Sequence, residues 1–242
     1  MTRTKRLAGE LYRSLEEALP SVRKTVLKKL SPAVAAMLEA RTPNTQELIV
    51  SLPLETERAD MREQWLRRLL KNPLVDHTEI LAPFAQRELA RAAEGGQTIQ
   101  LLMDQTDLGD KAAILMLSVW VGHRALPLLW QVQAGRANLG WESQHALLCG
   151  VQPWLPEGAT VMLLADRFYP SAALLNWLHE ARWQYRLRLK GNLMVDIGQP
   201  GITTTADLAA GVTTRFAPHA HLFAQAIPTA IGVLHEPGHR EP

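Results

Sequence analysis

The stretch LLADRFYPSAALLNWLHEARWQYRLRLKGN (residues 163–192) decides the fold class of this chain. It opens with an apolar run that ends at Asp166, which is typical of a buried strand. An amphipathic helix follows from near Ser171, a residue type that caps helix N-termini. From Gln184 onward, polar and apolar residues alternate strictly, which indicates another strand. Strand, helix and strand in succession predict an α/β protein.

The sequence on the N-terminal side of this stretch predicts three further strands. Glu94-Gly95-Gly96 marks a boundary, and TIQLLMDQTD (98–107) after it is an apolar run that ends in acid. Residues 111–133 read as two strands joined at Gly122-His123, and residues 138–156 read as a helix. The predicted order is therefore β-β-β-α-β-α-β, which is typical of a mixed α/β layer.

The composition is that of an ordinary globular protein of 242 residues with a formal net charge of +2. Cys149 is the single cysteine, so no intrachain disulfide can form, which fits a reducing compartment. The longest apolar stretch, residues 112–121, is too short to span a bilayer. We expect a cytoplasmic protein with no membrane segment and no export signal.

Residues 1–96 predict a helical region with locally clustered basic residues. Ser31-Pro32 has the form of a helix start, and residues 42–53 form a short helix closed by Pro53. The next helix, within residues 57–73, carries Arg62, Arg67 and Arg68 mostly away from its apolar stripe. This outline fits a DNA-binding helix-turn-helix, with a plain helical bundle as the alternative.

Two aspartates end apolar runs that are expected to be buried strands. Asp104 ends one run and Asp166 ends another, so neighbouring strands would bring both carboxylates to one edge of the sheet. Mg²⁺ takes one or two protein carboxylates and completes its shell with water and substrate phosphate. The alternative is that each aspartate caps the turn or helix that follows its strand.

Three stretches together resemble a DDE transposase of the bacterial insertion-sequence family 4 type: residues 101–110, residues 163–192 and the closing GHREP (238–242). The resemblance covers the chain from about residue 97 to its end. It implies a ribonuclease-H-like domain with Asp104 and Asp166 as catalytic residues and ligands of Mg²⁺ or Mn²⁺. It also implies that the helical N-terminal region helps to bind the DNA of the transposon ends.

The resemblance further implies hydrolysis at the transposon end, followed by attack of the freed 3′-hydroxyl on target DNA. Arg186, Arg188 and Lys190 share one face of the last strand, where they could hold a DNA backbone. The alternative for these three residues is a solvated strand face.

The third acid of the family pattern, a Glu on a later helix, is missing from this sequence. Residues from about 193 to the end resemble the β-rich insertion that precedes that helix, so we expect an incomplete catalytic domain in residues 97–242. Glu236 and Glu241 lie beside prolines and are poor substitutes. We therefore expect little activity from this chain alone. The alternative is a non-catalytic DNA-binding protein that represses or modulates a full-length transposase, by occupying the element's ends or by joining mixed oligomers.

Residues 235–239, His-Glu-Pro-Gly-His, match the H-E-x-x-H pattern of zinc peptidases. That pattern requires a helix, and Pro237 and Gly238 disfavour one. We expect a turn here, and zinc chemistry would require stoichiometric zinc binding through His235 and His239.

Overall fold

A computed structural model describes residues 2–235 of the chain, which folds as two compact units that divide between Ala85 and Gln86. The division lies within a helix, whereas the sequence placed the boundary at residue 96. Gly95-Gly96 lies between the end of this helix at Ala92 and the first strand of the sheet, which begins at Ile99. No helix in the described part is long and apolar enough to cross a membrane.

The N-terminal unit is helical, as predicted. Its helices are α1 (Arg3–Ala18), α2 (Lys24–Ala40), α3 (Thr45–Ser51) and α4 (Ala59–Leu70), and α5 (His77–Ala92) crosses the unit boundary. Thr2 caps α1 and Asn44 caps α3 by accepting backbone N–H bonds. Two apolar clusters hold the unit together, one around Leu48 and Leu66 and one around Val26 and Leu27.

The predicted helix start at Ser31-Pro32 is wrong, because α2 runs through both residues. The Ser31 hydroxyl donates to the Leu27 carbonyl at 2.8 Å, one turn earlier in the same helix. Pro32 removes one helical N–H, but Leu27, Ala35 and Ala36 are fully buried on either side of it. Packing of the helix outweighs the missing hydrogen bond.

The C-terminal unit is built on a mixed five-stranded sheet, and the predicted element order is confirmed. The elements are β1 (Ile99–Asp107), β2 (Ala112–Val121), β3 (Arg124–Ala134), α6 (Trp141–Val151), β4 (Val161–Ala165), α7 (Ala172–Glu180) and β5 (Gln184–Leu187). The sheet order is β3-β2-β1-β4-β5. Strands β1 to β3 are antiparallel to one another, whereas β4 is parallel to both β1 and β5.

Alternation along the strands sets the core of the sheet. In β1, Leu101 and Met103 are buried while Gln100 and Asp104 are exposed, so the carboxylate of Asp104 lies on the less covered face. Helices α6 and α7 flank the sheet and contact β2, β3 and β5. Ser171 caps α7, as the sequence predicts, by accepting the Leu174 N–H at 3.2 Å.

A second, three-stranded antiparallel sheet follows in the same unit. It consists of β6 (Val195–Asp196), β7 (Thr214–Leu222) and β8 (Ile227–Leu234), with the short helix α8 (Thr205–Ala209) between β6 and β7. Thr204 and Asp207 form a reciprocal capping box at the start of α8. Leu208, Leu222 and Ile231 share its apolar cluster. This sheet begins where the sequence predicted a β-rich segment.

Candidate active site

The two aspartates singled out from the sequence lie side by side at the point where β4 ends. Met103 of β1 pairs with Ala165 of β4 in parallel register, so Asp104 and Asp166 occupy the next position on each strand. Neighbouring strands lie about 4.8 Å apart, which brings the two exposed carboxylates within reach of one cation. The parallel pairing of two strands distant in sequence therefore creates the site.

Strand β1 does not end at Asp104, as the sequence suggested, but continues to Asp107. Antiparallel pairing with β2 carries it on, with Asp104 opposite Met116 and Asp107 opposite Ala113. Asp107 accepts from the Gln105 side-chain amide at 3.2 Å, and Asp110 pairs with Arg136. Asp107, the last residue of β1, and Asp110, in the turn after it, thus each have a structural partner.

Each of the two site carboxylates accepts one hydrogen bond from the backbone of the following residue. Asp104 Oδ1 accepts from the Gln105 N–H at 2.9 Å, and Asp166 Oδ1 accepts from the Arg167 N–H. Neither carboxylate forms a salt bridge with another described residue within residues 2–235. Local capping therefore uses one oxygen of each group and is compatible with a ligand on the other.

Tyr169, three residues after Asp166, is a buried residue near this pair and is the functional candidate that the sequence did not reveal. It is only 6% exposed, and its backbone N–H donates to the Asp166 carbonyl at 3.2 Å, closing a turn. Burial raises the pKa of the Tyr169 phenol, and the nearby Asp104 carboxylate raises that pKa further. Asp166 acts in the same direction, so one phenol senses both carboxylates. Its position depends on the meeting of β1 and β4, which no local sequence pattern indicates.

A row of exposed cations runs along the strand beside β4. Arg186 of β5 lies opposite Leu164 of β4, and the Arg188 N–H donates to the Ala165 carbonyl at 3.1 Å. Arg188 is thus level with Asp166, one step beyond the last paired row of the sheet. Arg186, Arg188 and Lys190 are exposed while Tyr185, Leu187 and Leu189 are half-buried, so the alternation predicted from the sequence holds beyond the end of β5.

A cleft of about 1140 Å³ opens in front of the aspartates and this cationic row. One wall is the sheet face with Asp104, Asp166 and Arg188, and the opposite wall is contributed by β8 of the second sheet. The cleft therefore combines two carboxylates, cations and apolar surface. This is the combination that a phosphodiester with attached bases would require.

Two adjacent carboxylates suit a hard divalent cation but do not form a complete protein ligand set. No group of three or more His, Cys, Asp or Glu side chains placed to hold a metal occurs in residues 2–235. Asp104 and Asp166 match the one or two carboxylates through which Mg²⁺ is usually held. Glu236, Glu241 and His239 lie outside the described residues, and His235 follows the strand β8.

The predicted helix-turn-helix is not formed by α3 and α4. Residues 52–58 connect them, which is longer than the turn of about three to four residues in that motif. The Arg62 side chain holds this connection by donating to five backbone carbonyls, those of Ile49, Val50, Leu52, Leu54 and Thr56. Arg62 therefore has a structural role, and its predicted DNA contact stays a prediction.

Arg67 and Arg68 instead line a groove between α2 and α4 of about 650 Å³. Lys29 and Lys71 line it too, together with Gln64 and Asn72, and the described lining residues include no carboxylate. Arg67 also bridges to Glu63 one turn earlier, whereas Arg68 and Lys71 are exposed. The α2–α4 groove is thus a basic surface of the N-terminal unit.

Comparison by sequence gives no family for this chain. No protein-family model matches it, and no curated protein matches it.

Proposed function

We propose that the C-terminal unit is a ribonuclease-H-like domain that acts on DNA, with phosphoryl transfer of the transposase type. The observation that carries the proposal is the position of Asp104 beside Asp166. Arg188, directly after β5, is level with Asp166. The sheet order supports it, because an antiparallel β1–β2–β3 segment joined to parallel β4 and β5 is the arrangement expected of such a domain.

Asp104 and Asp166 would hold the divalent cation through the carboxylate oxygens that their own turns leave available. When bound, such a cation lowers the pKa of an attacking hydroxyl or water and offsets charge on the phosphate. The chain's own contribution is to orient the DNA. Arg186, Arg188 and Lys190 would bind the phosphates on one side of the carboxylates, and the buried Tyr169 would fix the spacing of the two aspartates.

Two carboxylates alone position a cation less firmly than three. We therefore propose that these residues by themselves support weak strand cleavage, or none. Any cleavage would depend on Mg²⁺ or Mn²⁺ and on both aspartates.

Cation binding is the most direct test, because it does not require activity. Mn²⁺ binding to the whole chain would be followed by electron paramagnetic resonance, comparing Asp104→Asn and Asp166→Asn with Asp107→Asn. The control residue is an exposed carboxylate on the same strand that bonds to Gln105. We expect each site variant to weaken Mn²⁺ binding at least about tenfold and the control to leave it unchanged. Equal binding by all four proteins would exclude a cation at this pair.

Cleavage would then be measured on the DNA segments that flank the gene, with Mg²⁺ or Mn²⁺. A nick that disappears in both site variants and persists in Asp107→Asn supports the proposal. A nick that persists in all variants comes from elsewhere and overturns it.

The α2–α4 groove favours a second candidate, a protein that binds DNA without cutting it. Four cations on a concave surface without a lining carboxylate suit a phosphate backbone, which attracts protein mainly through counterion release. Such a protein would occupy the ends of an element, alone, as an oligomer or together with a full-length transposase, and so repress transposition.

The two candidates differ in which residues DNA affinity requires. If the protein only binds DNA, the double variant Asp104→Ala/Asp166→Ala leaves the affinity for DNA nearly unchanged. The triple variant Lys29→Gln/Arg68→Gln/Lys71→Gln then lowers this affinity and makes it depend less on salt. For each phosphate that the variant no longer neutralises, the slope of log K against log salt should fall by about 0.9. Lys28→Gln is the matched control for Lys29→Gln, because it removes the same charge from the adjacent, exposed position outside the groove. Equal losses of affinity from both single variants would remove the groove from the DNA surface.

A further inference from the structure

We infer that Phe168 and Lys190 form a stacking platform for an unpaired nucleobase beside Asp166. The inference rests on the proposed function in one respect only, that DNA is the substrate. It adds a preference for a DNA strand that has an unpaired base next to the reacting phosphate. The aspartate pair does not supply this preference.

Phe168 is an exposed aromatic ring held at a defined place. The residue is 62% exposed, although it lies two residues from Asp166 and directly before the buried Tyr169. The Tyr169 N–H donates to the Asp166 carbonyl, so Phe168 occupies the third position of a closed four-residue turn. The buried phenol on one side and the strand end on the other restrict where the ring can lie.

Lys190 covers one face of this ring. Its Nζ lies 4.8 Å from the ring centroid, within the range of a cation–π contact. Because the ammonium occupies one face, the exposed surface of the ring lies on its other face and its edge. The ring thus presents an aromatic face to solvent beside a cation, which is the arrangement that binds a base together with its phosphate.

The surrounding charge selects the kind of partner. Arg186, Arg188 and Lys190 are exposed at alternate positions, and Asp166 of the proposed cation site lies two residues from Phe168. A polyanion is favoured along this row. In a duplex each base is paired and, away from the ends, stacked on both faces, so a frayed, overhanging or extruded base is the kind that can stack on Phe168.

The test measures affinity for two DNA probes labelled with the same dye by fluorescence anisotropy. One is a blunt duplex, and the other is the same duplex with a short single-stranded 3′ overhang that contains 2-aminopurine. We expect Phe168→Ala to weaken binding of the overhang probe by about five- to a hundredfold, the range for loss of one base–aromatic stack. Binding of the blunt duplex should change little. In the wild type, stacking of the 2-aminopurine should change its fluorescence, and this change should be absent in Phe168→Ala.

Two further variants separate stacking from damage to the fold. Phe168→Trp keeps an aromatic face and should restore both the affinity and the 2-aminopurine signal. Trp120→Ala removes another exposed aromatic side chain of the same unit, on β2 and outside the cleft, and should alter neither.

The outcomes also separate this inference from the proposed function. If the wild type binds both probes and Phe168→Ala binds them equally well, the platform is excluded while DNA binding stands. Equal losses on the blunt and overhang probes exclude it too, because the ring would then not read an unpaired base. If the wild type binds neither probe, both the DNA substrate and the platform are excluded.

Discussion

Arg62 is predicted to be one of the most important side chains for the stability of the N-terminal unit, although it lies on a helix surface. Its guanidinium donates to carbonyls at the end of α3 and along residues 52–58, at distances of 2.7 to 3.4 Å. These carbonyls have no helical partner, so the guanidinium acts as a C-terminal cap for α3. Arg62→Met keeps the aliphatic stem and removes every donor.

The magnitude follows from counting N–H groups and not acceptors. Nη1 serves three carbonyls with two hydrogens, so with Nε and Nη2 about four N–H groups are engaged. A net contribution of about 0.5–1 kcal/mol for each is appropriate, because these partly buried carbonyls can rehydrate in the variant. We therefore expect Arg62→Met to lower the free energy of unfolding by about 2–4 kcal/mol.

Urea unfolding followed by far-ultraviolet circular dichroism measures this loss, and hydrogen exchange shows where it arises. Exchange should accelerate at the amides of α3 and residues 52–58. Arg68→Met is the matched control, since Arg68 is exposed on the same helix, and its effect should stay within about 0.5 kcal/mol. If Arg62→Met is as mild as Arg68→Met, the five hydrogen bonds do not hold the connection and the reasoning is refuted.

Three other predictions concern the C-terminal unit. Tyr169→Phe should weaken Mn²⁺ binding about ten- to a hundredfold, as loss of a residue that orients metal ligands does. The control is Tyr185→Phe, whose hydroxyl bonds to Thr229 at 2.8 Å and which should leave Mn²⁺ binding unchanged. Equal effects of the two variants would remove Tyr169 from the site. The Thr204 hydroxyl lowers the pKa of Asp207. The stabilising effect of this hydrogen bond is therefore present above the usual carboxyl pKa and is lost as pH falls through the lowered pKa. In thermal melts at several pH values, Thr204→Ala should be less stable at neutral pH, and its stability should depend less on acid pH. Leu163→Ala, at a fully buried position of β4, should cost about 2–5 kcal/mol in urea unfolding, and a smaller loss would mean that the sheet core repacks.

The sequence predicts those parts of the fold that local patterns determine. The β2–β3 hairpin is visible because Gly122, with φ of +62°, interrupts a long apolar run. Helix α7 is visible from Ser171 and the apolar spacing that follows it. The α2 helix is misread at Pro32, because its continuation depends on burial of Leu27 and Ala35 against other helices, which a local breaker rule does not include.

The sequence predicts the two acids of the candidate site but not the residues that position them. Asp104 and Asp166 stand out because each follows an apolar run. Tyr169 does not stand out, because its phenol lies near both acids only when β1 pairs with β4. The charge of Arg62 predicts a DNA contact, and only the positions of five carbonyls reveal that its donors also hold the connection between α3 and α4.

The parallel pairing of β1 with β4 also sets the order in which this unit can fold. The β1–β2–β3 meander joins residues close in sequence, whereas the aspartates are 62 residues apart (166 − 104). Closing that loop costs chain entropy before any interaction compensates for it, so non-local pairing is expected to be slow. An intermediate with a formed meander and an unpaired β1 edge would hold both acids and still lack the site. The Ile99 N–H donates to the Thr160 carbonyl just before β4, so the alternate amides of Leu101 and Met103 also face β4. Protection of these two amides in pulse-labelled refolding would therefore mark the moment at which the two carboxylates come together.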